Sequence, residues 1–220
     1  MNIDLYIKIF SKIILCNAFA CTMLSACSSL TEQSIAIDKS QRLTGYGFSI
    51  SAPREENWKL GGRKDDGIMF YKNPNNLKNS NDDVFYRLIA GVDILSRSST
   101  LSGITSETDL FSHARLILAA RLQVAGRQMI LMEVKKTLFK GVVCTEYLTD
   151  QVDQYDPEKI DKPRYEYSQR GYLCLHPDSP KLLIQIFYTE HFLRTSPPLR
   201  RINASNQENF FQQFDFVHLN

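Results

Sequence analysis

Apolar residues in this chain recur mostly at every second position, the period of a strand with one buried face. The clearest run sets Val84, Tyr86, Leu88, Ala90, Val92 and Ile94 against Phe85, Arg87, Ile89, Gly91 and Asp93. Residues 46–51 alternate and stop at Ala52-Pro53, because proline has no N–H for a ladder. Asn57-Trp58-Lys59-Leu60 opens a second short strand, and Asp65-Asp66-Gly67 is a hairpin turn leading into Ile68-Met69-Phe70-Tyr71. Further strands are predicted at residues 129–138, with Ile130, Met132 and Val134 on the core face, and at 142–151 and 164–176. The last covers residues 182–191, with Leu182, Ile184, Ile186 and Tyr188 on one side. Polar stretches at 73–83 and 152–162 are loops.

Helical spacing is sustained once. Leu110, Ala114, Ile117, Leu118, Leu122 and Ala125 form a stripe, with Arg115 and Arg121 on the wetter side. Ser106 and Asp109 cap its start, and Gly126 closes it. Ser205-Asn206-Gln207-Glu208 fits a capping box ahead of a short C-terminal helix that buries Phe210, Phe211 and Phe214. The pattern predicts an α+β fold: a mainly antiparallel sheet of about six or seven strands, one long helix and a short C-terminal helix.

The first residues read differently. Lys8 and Lys12 precede an apolar run from Ile13 to Leu24, interrupted by Asn17 and Thr22. A basic stretch, a short apolar stretch and small residues before a cut are the parts of a secretory signal. The run is too short to span a membrane, which needs about 20 mostly apolar residues. Leu24-Ser25-Ala26-Cys27 closes it. Small Ser25 and Ala26 suit a peptidase cleft, and the Cys27 thiol is a nucleophile able to carry a thioether. An ordinary cleaved signal with a cysteine after Ala26 is the alternative.

Residues 1–27 resemble the type II signal of bacterial lipoproteins. The resemblance implies cleavage before Cys27 and acyl chains on Cys27, hence a membrane partner; two lipid signals already anchor stably. Ser28, where an enteric-type lipoprotein held at the inner membrane carries aspartate, points to the periplasmic face of the outer membrane. The expected organisation is a signal peptide at 1–26, a lipidated N-terminus and flexible tether at 27–42, and one globular domain at 43–220. Losing Lys8, Lys12 and Asp4 takes the formal net charge from +2 to +1, so nucleic acid is not an expected partner.

With Cys16 and Cys21 removed and Cys27 lipidated, Cys144 and Cys174 remain, an even number in an oxidising compartment. They are expected to form a disulfide, worth roughly 3.5 kcal/mol in the chain-entropy picture; two buried free thiols are the alternative. If they face each other across an antiparallel pair, Thr145 meets Leu173 and Val143 meets Leu175 on one face. Glu146 then meets Tyr172, and Leu148 meets Arg170, on the face of the bridge. The first face is the more apolar, so the bridge is expected away from the main core.

Phe48, Ile50, Pro53 and Trp58, then the helix near 106–125 and Phe210 to Phe214, are similar in kind and order to the Mog1/PsbP-like domains, which include periplasmic lipoproteins of the DcrB type. The similarity would cover most of residues 43–219 and implies a binding or assembly module rather than an enzyme, with another envelope protein as partner. No functional residue transfers with it.

Candidate chemistry is sparse. Ser112, His113 and Asp109 invite a triad, but adjacent helical residues point about 100° apart, and a polar helix face is the favoured reading. His176 and His191 could meet on neighbouring strands, but without a patterned carboxylate they make a poor metal site and read as rim histidines. Glu190 points away from His191, and His218 has no evident partner. Asp65-Asp66, Asp82-Asp83 and the basic Arg194, Arg200 and Arg201 read as solvated turn and loop. Tyr155, Tyr165, Tyr167 and Tyr172 suit either an interface or the core. No catalytic residue, metal site or cofactor is expected. The function expected is a non-catalytic, lipid-anchored module; a periplasmic hydrolase using scattered His and acidic residues, or a carrier of a small apolar ligand, are the alternatives.

Overall fold

The structure is a computed structural model that describes residues 35–36, 38, 41–72, 87–95, 104, 106–154, 164–193 and 204–219. The strands are β1 (Ile35–Ala36), β2 (Arg42–Gly45), β3 (Phe48–Ser51), β4 (Lys59–Lys64), β5 (Gly67–Lys72), β6 (Arg87–Ile94), β7 (Arg127–Phe139), β8 (Val142–Asp153), β9 (Tyr165–His176), β10 (Ser179–Leu193) and β11 (Phe214–Phe216). Helices α1 (Glu107–Leu122) and α2 (Ala204–Gln212) complete the described elements. The fold is α+β, and every strand pair is antiparallel.

The strands divide into an eight-stranded sheet, in the order β1-β4-β5-β6-β10-β9-β8-β7, and a three-stranded sheet, β11-β3-β2. The seven strands β4 to β10 of the large sheet meet the expected six or seven, and the two-residue β1 and the small sheet come in addition. Alternation finds long strands, whereas Ile35–Ala36, Arg42–Gly45 and Phe214–Phe216 are too short to show a period. Paired backbone also reaches back to residue 35, inside the stretch expected as tether. Tyr46 and Gly47 make the turn between β2 and β3 rather than starting a strand.

Both faces of the large sheet are covered. On one face α1 lays Leu110, Ala114, Ile117 and Leu118 onto Tyr147, Leu173, Leu175 and Leu183. On the other, α2 and the small sheet bring Phe48, Ile50, Phe210, Phe211 and Phe214 onto Ile68, Phe70, Val92, Tyr172, Ile184, Ile186 and Tyr188. Aromatic rings dominate this larger core. Phe139 stacks on Tyr172 with centroids 4.2 Å apart, and Tyr172 meets Phe211 edge-on at 5.0 Å.

Cys144 and Cys174 pair across β8 and β9 in the expected register, with Thr145 opposite Leu173 and Glu146 opposite Tyr172. Their sulfurs are at disulfide distance, 2.09 Å. The expected position is corrected: both cysteines lie inside the larger core, beneath α2 and the small sheet. The apolar face of that strand pair belongs to the α1 core instead. Comparing two faces of one strand pair misleads when separate elements cover both.

Four further expectations change. Helix α1 ends at Leu122 with Gln123 extended, four residues before Gly126. Gly126 (φ +81°) serves the turn into β7, where its carbonyl accepts from the Gln154 N–H, and Ala125 is exposed. Ile130 is not in the core but 57% exposed. A bulge between Met129 and Leu131 adds one residue to β7 at that point and breaks the alternation. Phe214 is buried through β11, opposite Ile50, and not through the C-terminal helix. Ser205 lies within α2 rather than at its N-cap. The segments 73–83 and 155–162, and residues 84–86, where the alternating run is expected to begin, lie outside the described residues.

The β7–β8 hairpin turns on two residues, Lys140 (φ +50°) and Gly141 (φ +78°), which is the type I′ geometry that matches strand twist. Glycine adopts it freely and lysine does not. The Lys140 ammonium donates to the Gln212 carbonyl at 2.7 Å and sits 3.5 Å from Asp215, tying the hairpin tip to α2 and β11.

Candidate functional site

Among the described residues, two places where polar groups converge lie on the middle of β8 and β9, where the register sets alternate residues on opposite faces of the sheet. Towards α1, the Tyr147 hydroxyl accepts from Gln169 Nε2 at 2.7 Å and from Gln185 Nε2 at 2.6 Å. Thr189 donates to Gln169 Oε1 at 3.1 Å, and Gln151 Nε2 donates to the Leu122 carbonyl at 2.6 Å, holding the last turn of α1. Gly171 makes room for this arrangement, since a Cβ there would lie 2.6 Å from the Tyr147 oxygen and 2.2 Å from the Ile186 carbonyl. Tyr147 is 1% exposed, and burial pushes its phenol far above the usual tyrosine range. It is therefore a neutral hydrogen-bonding group at physiological pH, in a network of amides and hydroxyls that carries no charge.

On the opposite face the polar groups are charged. Arg170 grips Glu146 through Nε at 3.0 Å and Nη2 at 2.8 Å, and Lys135 of β7 reaches the other Glu146 oxygen at 3.0 Å. Arg170 also lies 3.8 Å from Glu208 of α2, with its guanidinium 5.8 Å from the Phe211 ring centre. Burial is the largest single influence and works against the Arg170 charge, but the hydrogen bond and charge of Glu146, with Tyr172 and Glu208 near, together outweigh it and raise the pKa. A carboxylate held by two cations is an acceptor already in use, not a general base. An open groove of ≈ 420 Å³ runs beside this triad, lined by Arg115, Glu133, Lys135, Glu146, Leu148 and Arg170. Val134 and Tyr147 also line it, so charged and apolar groups share its surface.

The sequence-derived candidates are scattered over the fold. Leu24, Ser25, Ala26 and Cys27 lie outside the described residues, as do Tyr155, Asp82, Asp83, Arg194, Arg200 and Arg201. Ser112 donates to the Thr108 carbonyl and His113 Nδ1 lies 2.8 Å from the Asp109 carbonyl, so each engages helix backbone. His176 and His191 sit at opposite ends of the β9–β10 pair, opposite Ser179 and Tyr167 respectively. His176 is no rim residue: it is 2% exposed, with Nε2 at 3.0 Å from the Gly47 carbonyl and 3.1 Å from that of Val217. Carbonyls only accept, and Nδ1 accepts from the Asp178 N–H, so the hydrogen is on Nε2. His176 thereby joins β9 to the small sheet. His191 meets the edge of Tyr167, and burial, with Arg127 and Arg87 near, holds its pKa down at about 4. His218 pairs with Asp178 at 3.0 Å. Glu190 is fully buried. Tyr172 is core, whereas Tyr165 and Tyr167 are half-buried, and Arg127 lies 3.5 Å over the Tyr167 ring.

Among the described residues no cluster of three metal-ligating side chains occurs, and no helix is long and apolar enough to cross a membrane. Glu146 with Arg170, and Tyr147 with its two glutamines, were not singled out by motif. Their signal in the sequence is polar residues on both faces of strands that run through the middle of the chain's longest hairpins. No protein-family model matches the chain, and comparison with curated proteins finds no significant match.

Proposed function

We propose that this chain is a lipid-anchored lipoprotein facing the periplasm, in which a folded α+β body acts as a non-catalytic binding or assembly module of the cell envelope. The observation that carries the reading is Leu24-Ser25-Ala26-Cys27 at the end of a short apolar segment. The cysteine pair supports it, because Cys144 and Cys174 sit at disulfide distance, as expected of a chain that leaves the cytoplasm. Cys27 carries the acyl chains, the outer membrane is the favoured site, and the partner is another envelope component rather than nucleic acid.

A binding role is supported by how the large sheet is used. Both of its faces are filled by aromatic and aliphatic side chains, which leaves edges, turns and the charged groove for recognition. The Mog1/PsbP-like likeness belongs to this reading. What supports it is a long helix packed on an antiparallel sheet, with Phe210 and Phe211 of a C-terminal helix buried beneath.

The test is Cys27→Ser in a bacterial host, followed through the cell by mass and detergent partitioning. The expected result is an uncleaved precursor without acyl mass. Normal maturation of the variant, or a wild-type chain recovered without lipid and with its first residues intact, overturns the anchor.

A further inference from the structure

The two edges of the large sheet are unequal. One is β1, two residues long; the other is β7, thirteen residues, which among the described residues pairs only with β8. A long edge is a template for another strand unless it is blunted. Here pairing with β8 runs unbroken from Leu131 to Phe139; what guards the edge is the bulge at Met129–Leu131, the charged side chains of Glu133, Lys135 and Lys136, and the Arg115 guanidinium on the Met132 carbonyl.

We infer that the outer edge of β7 docks a second copy of this chain, strand to antiparallel strand about a two-fold axis at Val134. The inference goes beyond the anchored-module reading and does not depend on Cys27. A two-fold that continues the sheet and keeps each covered face on its own side must run perpendicular to the sheet. Only registers centred on a residue satisfy that, because opposite side chains must share a face. Centring on Glu133 opposes two glutamates, and centring on Lys135 opposes two lysines. Centring on Val134 sets Glu133 against Lys135 of the second copy, twice, and opposes no like charges. Both side chains are exposed, and Glu133 has no ion-pair partner among the described residues.

The helix face marks the same point. Glu107 reaches Lys136 at 3.8 Å, and Arg115 donates to the Met132 carbonyl at 2.8 Å. Phe111 stands between them in the same helical row, level with Val134, and is 39% exposed. A two-fold through Val134 brings the two Phe111 rings together over the paired strands. The axis is thus flanked by apolar rings on one face of the sheet and by crossed ion pairs on the other.

The test is cysteine crosslinking in the full chain, read on non-reducing gels with mass identification of the product. Val134→Cys meets its own copy at a Cα separation of about 5.5 Å, within reach of a disulfide, and is expected to give a homodimer on mild oxidation. Tyr46→Cys, at a more exposed side chain on the turn between β2 and β3, gives none. Adding Glu133→Lys to Val134→Cys is expected to cut the yield about tenfold, since two attractive pairs become repulsive. Mixing that chain with one carrying Lys135→Glu and Val134→Cys restores crosslinking between unlike chains, which a folding defect cannot do. If the Lys135→Glu chain does not fold, the first three chains still decide. The inference is overturned if Val134→Cys yields no homodimer, if its product contains a different protein, if Tyr46→Cys crosslinks as well, or if Glu133→Lys has no effect.

Discussion

Replacing Tyr147 with phenylalanine removes one oxygen from the centre of the network under α1, and the structure sets the cost. Two amide N–H groups lose their acceptor, at 2.7 Å from Gln169 and 2.6 Å from Gln185. The two losses are unequal. Gln185 is buried, where an unmet donor costs about 1–3 kcal/mol. Gln169 is half-buried and can turn to water. The shape of the ring is unchanged, so no cavity adds to the sum. A total of about 2 kcal/mol follows, a fall in Tm of about 4–8 °C for a domain of this size. Urea unfolding with the cysteine pair intact measures it. The decisive step is the double variant with Gln185→Leu, which removes the donor as well as the acceptor. It should recover much of the loss, because deleting both partners of a buried bond is close to neutral. A loss below about 0.5 kcal/mol for Tyr147→Phe, the level of an ordinary surface substitution, would refute the reasoning, as would two single effects that simply add.

Acid should act through His191. Its pKa is about 4 in the folded chain against the ordinary histidine value of 6.5, so the unfolded state binds a proton first as pH falls. Stability from this group is complete above pH 6.5 and is lost progressively down to about 4, roughly 3 kcal/mol in all; His191→Phe should flatten that part of a pH–denaturation curve, and an unchanged slope would count against it. Replacing both Cys144 and Cys174 with alanine opens a loop spanning 30 residues and should cost roughly 3–4 kcal/mol, with wild type under reductant moving in the same direction in thermal melts. On α1, Leu118→Ala should cost about 2–5 kcal/mol by leaving a cavity. Leu116→Ala, at a side chain 69% exposed two residues away, should stay within about 0.5 kcal/mol; similar losses in the two variants would mean the helix is wrongly rotated.

Long elements were legible because their period outlasts local noise. The strands around Leu88–Val92 and Leu182–Tyr188 and the stripe from Leu110 to Leu118 all bury the residues that the pattern selects. Legibility failed where one residue breaks the period. The bulge at Met129–Leu131 turns Ile130 outward, and nothing in its composition announces an extra residue. It failed also where an element is shorter than the period that would reveal it. Phe214 was correctly expected to be buried, but three residues cannot distinguish the end of a helix from strand β11. Lys140-Gly141 lacks the Asn-Gly signature of its turn, so the hairpin that sets the whole β7 edge left only a glycine to find it by.

The placement of the cysteine pair shows why the sites were harder to read than the strands. Register is a one-dimensional property: once Cys144 faces Cys174, Glu146 must face Tyr172 and Leu148 must face Arg170. What lies above each face is decided by distant chain, here α1 on one side and α2 with the small sheet on the other. That covering buries Glu146, which the sheet itself pairs with Lys135 opposite it on β7 and with Arg170 on β9, and it adds Glu208 of α2 beside Arg170. It likewise turns His176 from a strand-end histidine into a buried tie to the Gly47 and Val217 carbonyls. Strand pattern alone can therefore name which polar residues share a face. How far they are buried is set by the layer that closes over them, and here the layer over the charged face is built from segments far apart in sequence, residues 42–51 and 204–216.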